Sequence, residues 1–176
     1  MAQGYAKARE WYEKAAAHGD ASADMALGQL SIHEIATAGR YDEALRLEES
    51  LAAKVEAEET KREGKPGHQT VREFNYVIWY ALFAKEFTKA LTVAERAHAL
   101  FPDNFSIGTN RAPALMFLGY DEEAKALYLA HKGQPIPEVD SKLWEQAIPD
   151  DFAKLREAGL THPMMGDIEK ELGISR

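Results

Sequence analysis

Six histidines and a few paired carboxylates are the side chains in this chain whose types could do chemistry. The histidines stand at 18, 33, 68, 98, 131 and 162, and no two are four residues apart, the spacing that sets two imidazoles on one helix face around a metal. "HEIAT" at 33–37 begins like a zinc-protease helix, but Thr37 stands where the second histidine is needed. Adjacent acids occur at Glu48–Glu49, Glu58–Glu59, Glu122–Glu123 and Asp150–Asp151. Two carboxylates become an acid and a base when burial splits their proton affinities. Here the pairs at 122 and 150 open predicted helices, where negative charge suits the dipole, and the other two fall on a charged helix that reads as solvated. There is no Cys, no G-x-S-x-G and no glycine-rich phosphate loop. The sequence predicts no catalytic, metal or cofactor site. His98, beside Ala94 and Ala97, reads as a hydrogen-bonded residue between helices.

Recognition is the chemistry that remains. Arg72, Asn75 and Trp79 step by three and four residues and so share one helical face. Arginine and asparagine hold a peptide backbone or carboxylate, and an aromatic ring anchors a partner. The plain reading stands beside this one: Arg72 as a solvated charge, and Trp79 packed under a neighbouring long helix.

The elements that must position these residues are helices. Ala, Leu, Glu and Lys dominate the 176 residues, while Val, Ile and Thr are sparse. Apolar residues make up 45% of the chain, enough for a sizeable core. The formal net charge of −8, with no basic run, argues against a nucleic-acid partner. No apolar stretch approaches the roughly 20 residues of a membrane span, and the first residues lack the apolar core of a signal peptide. A cytoplasmic location and no membrane partner are expected.

The helices recur with a period. "YAKA" at 5–8, "YDEAL" at 41–45, "FTKAL" at 87–91 and "YDEEA" at 120–124 each set an aromatic three or four residues before a small alanine. The anchors Ala8, Ala44, Ala90 and Ala124 lie 36, 46 and 34 residues apart. A helix is predicted over 87–100, with Ala90, Ala94 and Ala97 on one face, ended by Pro102 and followed by Asp103 or Asn104 as a cap. The middle spacing implies an insertion, read as a second helix of double length running to near Glu63 and then a loop at "GKPGHQT". Gly19 fits a left-handed helix end, and Gly28 a close helix crossing. Pro113 either kinks its helix or makes it start late at Asn110. Two short helices are predicted at 140–148 and 150–157, with Pro149 opening the second, and a last one at 163–172.

These strings resemble tetratricopeptide repeats, whose period is about 34 residues, and near the N-terminus the slightly longer Sel-like relatives, of bacterial type. The resemblance implies an all-α fold: an α-α superhelical solenoid of helix pairs at 1–134, with a C-terminal helical cap at 135–176. It comprises a half repeat at 4–24, a repeat at 25–70 carrying the insertion, and repeats at 71–104 and 105–134. Residues 4–18 resemble a second helix without its first, which implies either a fragment of a longer chain or an edge, bearing Trp11 and Tyr12, that pairs with a second copy. The first helix of each pair lines the concave face in this family. Carried over residue by residue, its binding stripe falls on Gln29 and His33, on Arg72, Asn75, Trp79, Leu82 and Phe83, and on Thr109, Asn110 and Met116. The expected function is a scaffold that binds a peptide or helix of a partner, or of its own parent protein, in that groove. The alternative is an oligomerisation module, a homodimer through the N-terminal edge. Whether the insertion at 52–70 covers the groove is left open.

Overall fold

A computed structural model describes the backbone of residues 2–137 and 142–174, and their side chains except at 2–6, 21 and 22. The described residues are helical, with one isolated antiparallel bridge between Pro135 and Leu143. The helices are α1 (Ala2–Ala17), α2 (Ala21–Thr37), α3 (Tyr41–Glu63), α4 (His68–Phe83), α5 (Phe87–Leu100), α6 (Phe105–Thr109), α7 (Arg111–Phe117), α8 (Asp121–Ala130), α9 (Trp144–Glu157) and α10 (Met164–Glu171). Helices packed together are near neighbours in sequence: α1 on α2, α2 on α3, α3 on α4, α4 on α5, α5 on α7, α7 on α8 and α8 on α10. One continuous core runs from Ile32 and Ala36 through Ile78 and Ala94 to Phe152 and Leu172.

Small residues set the spacing. Ala90, Ala94 and Ala97 of α5 are fully buried, as are Ala112 and Ala114 of α7, and the two helices pack together. Short left-handed turns separate the helices. Gly19 and Gly119 take φ of 83° and 82° there, a region closed to most side chains. Lys85 holds the same conformation, with φ 63°, between α4 and α5. The close helix crossing expected at Gly28 is not seen among the described residues. A Cβ at that position would meet nothing within 4 Å, so no close crossing depends on it.

The segment read as an insertion carries α3 on to 23 residues, closed by Gly64. Glu59, near its end, reaches back to the start of α4. Its carboxylate accepts from the backbone N–H groups of Gly67 (2.7 Å), Gln69 (3.0 Å) and Thr70 (3.0 Å) and from Thr70 Oγ1 (2.7 Å). A helix leaves its first N–H groups without partners, and here a side chain from another helix supplies them. Glu59 is therefore buried, against the expectation of a solvated pair at 58–59.

The two prolines expected to interrupt helices resolve differently from each other, Pro113 by the late start at Asn110 that was one of its two expectations. The chain breaks at Asn110, giving α6 and α7, and Pro113 sits in the first turn of α7, where its missing N–H has no bond to lose. Asn104 caps α6 through a 3.0 Å bond from Ile107 N–H. Pro149, by contrast, lies inside one continuous helix, α9, rather than between two short ones. The residues expected to open the first of those, Asp140 and Ser141, lie outside the described residues. An interior proline costs about 3 kcal/mol. On α9 that is outweighed by one buried stripe of Trp144, Ile148, Phe152 and Leu155, each contributing about 1.5–3 kcal/mol. Asp150 and Asp151 consequently fall mid-helix, not at a helix start.

Candidate binding groove

A groove of about 470 Å³ lies between α1, α2 and α4. Gln29 and His33 line it from α2, Arg72 from α4 and Tyr12 from α1. They are joined by Met25, Leu30, Gln69, Tyr76 and Tyr80. Tyr76 and Tyr80 stack at 6.1 Å between ring centroids, forming one wall.

The groove's polar residues are seated by a buried cluster behind it. The Gln29 amide donates to Glu48 Oε1 of α3 (3.2 Å) and also to Glu73 of α4. Arg72 donates from Nε (3.0 Å) and Nη2 (2.6 Å) to Glu73 Oε1. Both glutamates are completely buried. Burial, reinforced by the Glu73 carboxyl, pushes the Glu48 carboxyl up to about 9 against the opposing pull of Gln29 and Arg72. The expectation that the 48–49 pair lies on a solvated face fails for Glu48. Its neighbour Glu49 does point outward, to Lys89 at 3.0 Å.

The residues assigned to the binding stripe separate into four groups. Gln29, His33 and Arg72 share the groove. Asn75 and Asn110 bond each other instead, Asn110 Nδ2 donating to Asn75 Oδ1 at 2.7 Å across α4 and α7. Trp79 and Phe83 are half-buried in an aromatic chain with Tyr41, Trp79–Phe83 at 5.7 Å and Phe83–Tyr41 at 5.1 Å. That chain ties Trp79 to the first residue of α3, and the Lys154 ammonium of α9 lies 5.9 Å from the Trp79 ring. Leu82, Thr109 and Met116 are core residues and offer nothing to a ligand in this structure. A helix turns by 100° per residue, and these three fall inside the arc that packs against the next helix. Of the insertion and the loop after it, Gln69 reaches the groove, at its rim.

Reading the sequence missed Tyr76 and Tyr80. They follow Arg72 at steps of four, so the stripe 72–76–80 was available beside 72–75–79. His98 also departs from expectation. Its Nδ1 is buried without a hydrogen-bond partner. Among the described residues no three His, Asp or Glu side chains converge as a metal site requires, and no helix is long and apolar enough to cross a membrane. Compared with known proteins, the chain matches no family model, no curated protein and no solved structure.

Proposed function

We propose that this chain is a tetratricopeptide-like solenoid, a binding module and not an enzyme, whose groove holds a segment of a partner protein. The order of packing supports the architecture, each helix resting on its sequence neighbours. One observation carries the function. Residues 12, 29, 33, 69, 72, 76 and 80, from three helices, converge on a single open trough. Its walls are aromatic and aliphatic, with amide, imidazole and guanidinium groups set among them. An apolar trough with a few spaced polar groups suits an extended or helical peptide, which presents side chains and backbone amides alternately.

The test is selection from a random-peptide library on the intact chain. A consensus should emerge, and its binding should weaken by about tenfold in Tyr76→Ala and in Arg72→Ala, roughly 1.4 kcal/mol for each lost anchor. A consensus indifferent to both substitutions, or no consensus, removes the groove from consideration.

Self-association is the second reading, favoured by Trp11, which is 73% exposed on α1. An indole left in water is a common anchor at protein interfaces. Light scattering after size exclusion at two concentrations should show a dimer that Trp11→Ser converts to a folded monomer. A monomer at both concentrations ends this reading and leaves the groove untouched.

A further inference from the structure

Behind the groove, Glu48 and Glu73 face each other where no solvent reaches. A single Gln29 NH₂ spans both carboxyl groups, which places them within reach of one another. One positive charge serves the two acids, the Arg72 guanidinium, and both of its contacts go to Glu73 Oε1. Glu48 Oε2 is buried with no hydrogen-bond partner. Two carboxylates and one guanidinium would leave a net negative charge in a dry site, a state that buried groups avoid by taking up a proton. A proton on Glu48 Oε2 removes that charge. It also gives the orphaned oxygen a partner, because the acid O–H then donates to Glu73.

Among the described residues, Arg72 is the cation that acts on Glu48. α2 contributes the neutral Gln29 amide, with His33 further along the groove. On α3 the adjacent Glu49 turns away to Lys89 of α5. On α4 the charged neighbours are Glu73 and Arg72, and Tyr76 acts on Arg72.

We infer that Glu48 and Glu73 share one proton and form a proton-operated latch: while it is held, α2, α3 and α4 are tied around the groove floor. When it leaves, two carboxylates repel in a water-free space, and Gln29 and Arg72 lose the partners that seat them. The groove would then change shape with pH without any ligand. The direction follows from linkage. Folding raises the proton affinity of Glu48 above the ordinary glutamate value of 4.5, so the stabilisation is complete below that value and is lost as pH climbs toward about 9. Across that window the open form gains close to tenfold per pH unit, because opening releases one proton. The latch belongs to the fold and does not depend on the groove binding a peptide.

Infrared spectroscopy and amide hydrogen exchange on the full chain, wild type and Glu48→Gln, test it. The wild type at pH 7 should show a protonated-carboxyl stretch that Glu48→Gln lacks and that fades toward pH 9. Asp151, which burial also pushes upward, lies on α9 away from the substitution and contributes equally to both proteins, so the difference spectrum isolates Glu48. Exchange in α2, corrected for the intrinsic effect of pH, should report an opening equilibrium that grows up to about 100-fold between pH 7 and 9 in the wild type and less than about threefold in Glu48→Gln. A wild type without the band at pH 7, or a Glu48→Gln protein with the same climb, overturns the latch. If Glu48→Gln does not fold, the wild type alone decides: α2 protection that stays constant from pH 7 to 9 overturns it equally.

Discussion

Glu59→Ala should destabilise the protein by about 3 kcal/mol, as the denaturant midpoint at pH 7 would show. The carboxylate accepts four hydrogen bonds, three of them from the backbone N–H groups of Gly67, Gln69 and Thr70 at the start of α4. Losing an ordinary helix cap costs about 1 kcal/mol, and hydrogen bonds to a charged group run to about 1.5–3 kcal/mol. Here one residue does the work of a cap from another helix, and its removal strands several donors at once. The effect has a pH signature opposite to that of Glu48. Burial alone would raise the Glu59 carboxyl, but the bonds from Thr70, Gly67 and Gln69 outweigh it and hold the group below 4.5. Its stabilisation is therefore present above the ordinary glutamate range and is lost as pH falls through the lowered value. The gap between wild type and Glu59→Ala should narrow on acidification below about pH 4.5, where Glu48 is already fully protonated and adds no change. A gap that is small at pH 7, or that stays constant in acid, would show that the carboxylate does not hold α4. Gly67 belongs to the same device. A Cβ there would come within 3.0 Å of Glu59 Oε1, so the glycine leaves room for the carboxylate to reach the backbone.

The two acids with the largest structural roles show what sequence could and could not reveal. Helix boundaries were legible because they are local. Phe87–Leu100, the long α3 and the cap at Asn104 follow from residues within one or two turns. Burial of Glu48 and Glu59 was half legible. Ala44, Glu48, Ala52, Val55 and Glu59 fall on one buried face of α3, and an acid on such a stripe must either be paired or take up a proton. The same holds for Glu73 between Thr70 and Val77 on α4. The partners were not legible. Gln29 lies 19 residues from Glu48 and 44 from Glu73, and only the packing of three helices brings them together. Side-chain aim failed for a related reason. Spacing places Arg72, Asn75 and Trp79 on one face but leaves the arc that neighbouring helices cover undetermined. Asn75 turned to Asn110, Trp79 to Phe83, and Tyr76 with Tyr80 took the groove wall. Pro149 misled for an energetic reason: its local penalty is smaller than the burial of the stripe around it.

That stripe begins at Trp144, and Trp144→Ala is expected to be the most damaging single truncation, at about 3–5 kcal/mol. The indole is buried at the joint between the C-terminal unit and the helices before it. Its Nε1 donates to the Tyr128 carbonyl oxygen at 2.7 Å, and its ring meets Phe105 edge-on at 5.5 Å and Tyr128 at 6.5 Å. Tyr128 in turn packs on Phe152 of α9 at 5.3 Å. One side chain thus joins α6, α8 and α9. Trp144→Phe separates the two parts of its role: it keeps most of the apolar contact and strands the Tyr128 carbonyl, at about 1–2 kcal/mol. Because α10 rests on both α8 and α9, loss of the indole should release the unit from Trp144 onward before the rest unfolds. Proteolysis would then cut between residues 131 and 137 at denaturant concentrations where Ile78 and Ala94 amides remain protected. A fully cooperative loss, with no early cleavage, would mean that α9 and α10 are integral to the core. A cost under about 1 kcal/mol would mean that the α10–α8 contact alone holds them. Tyr128 and Phe105 form an apolar face on α8 and α6, and Trp144 is the residue that covers it.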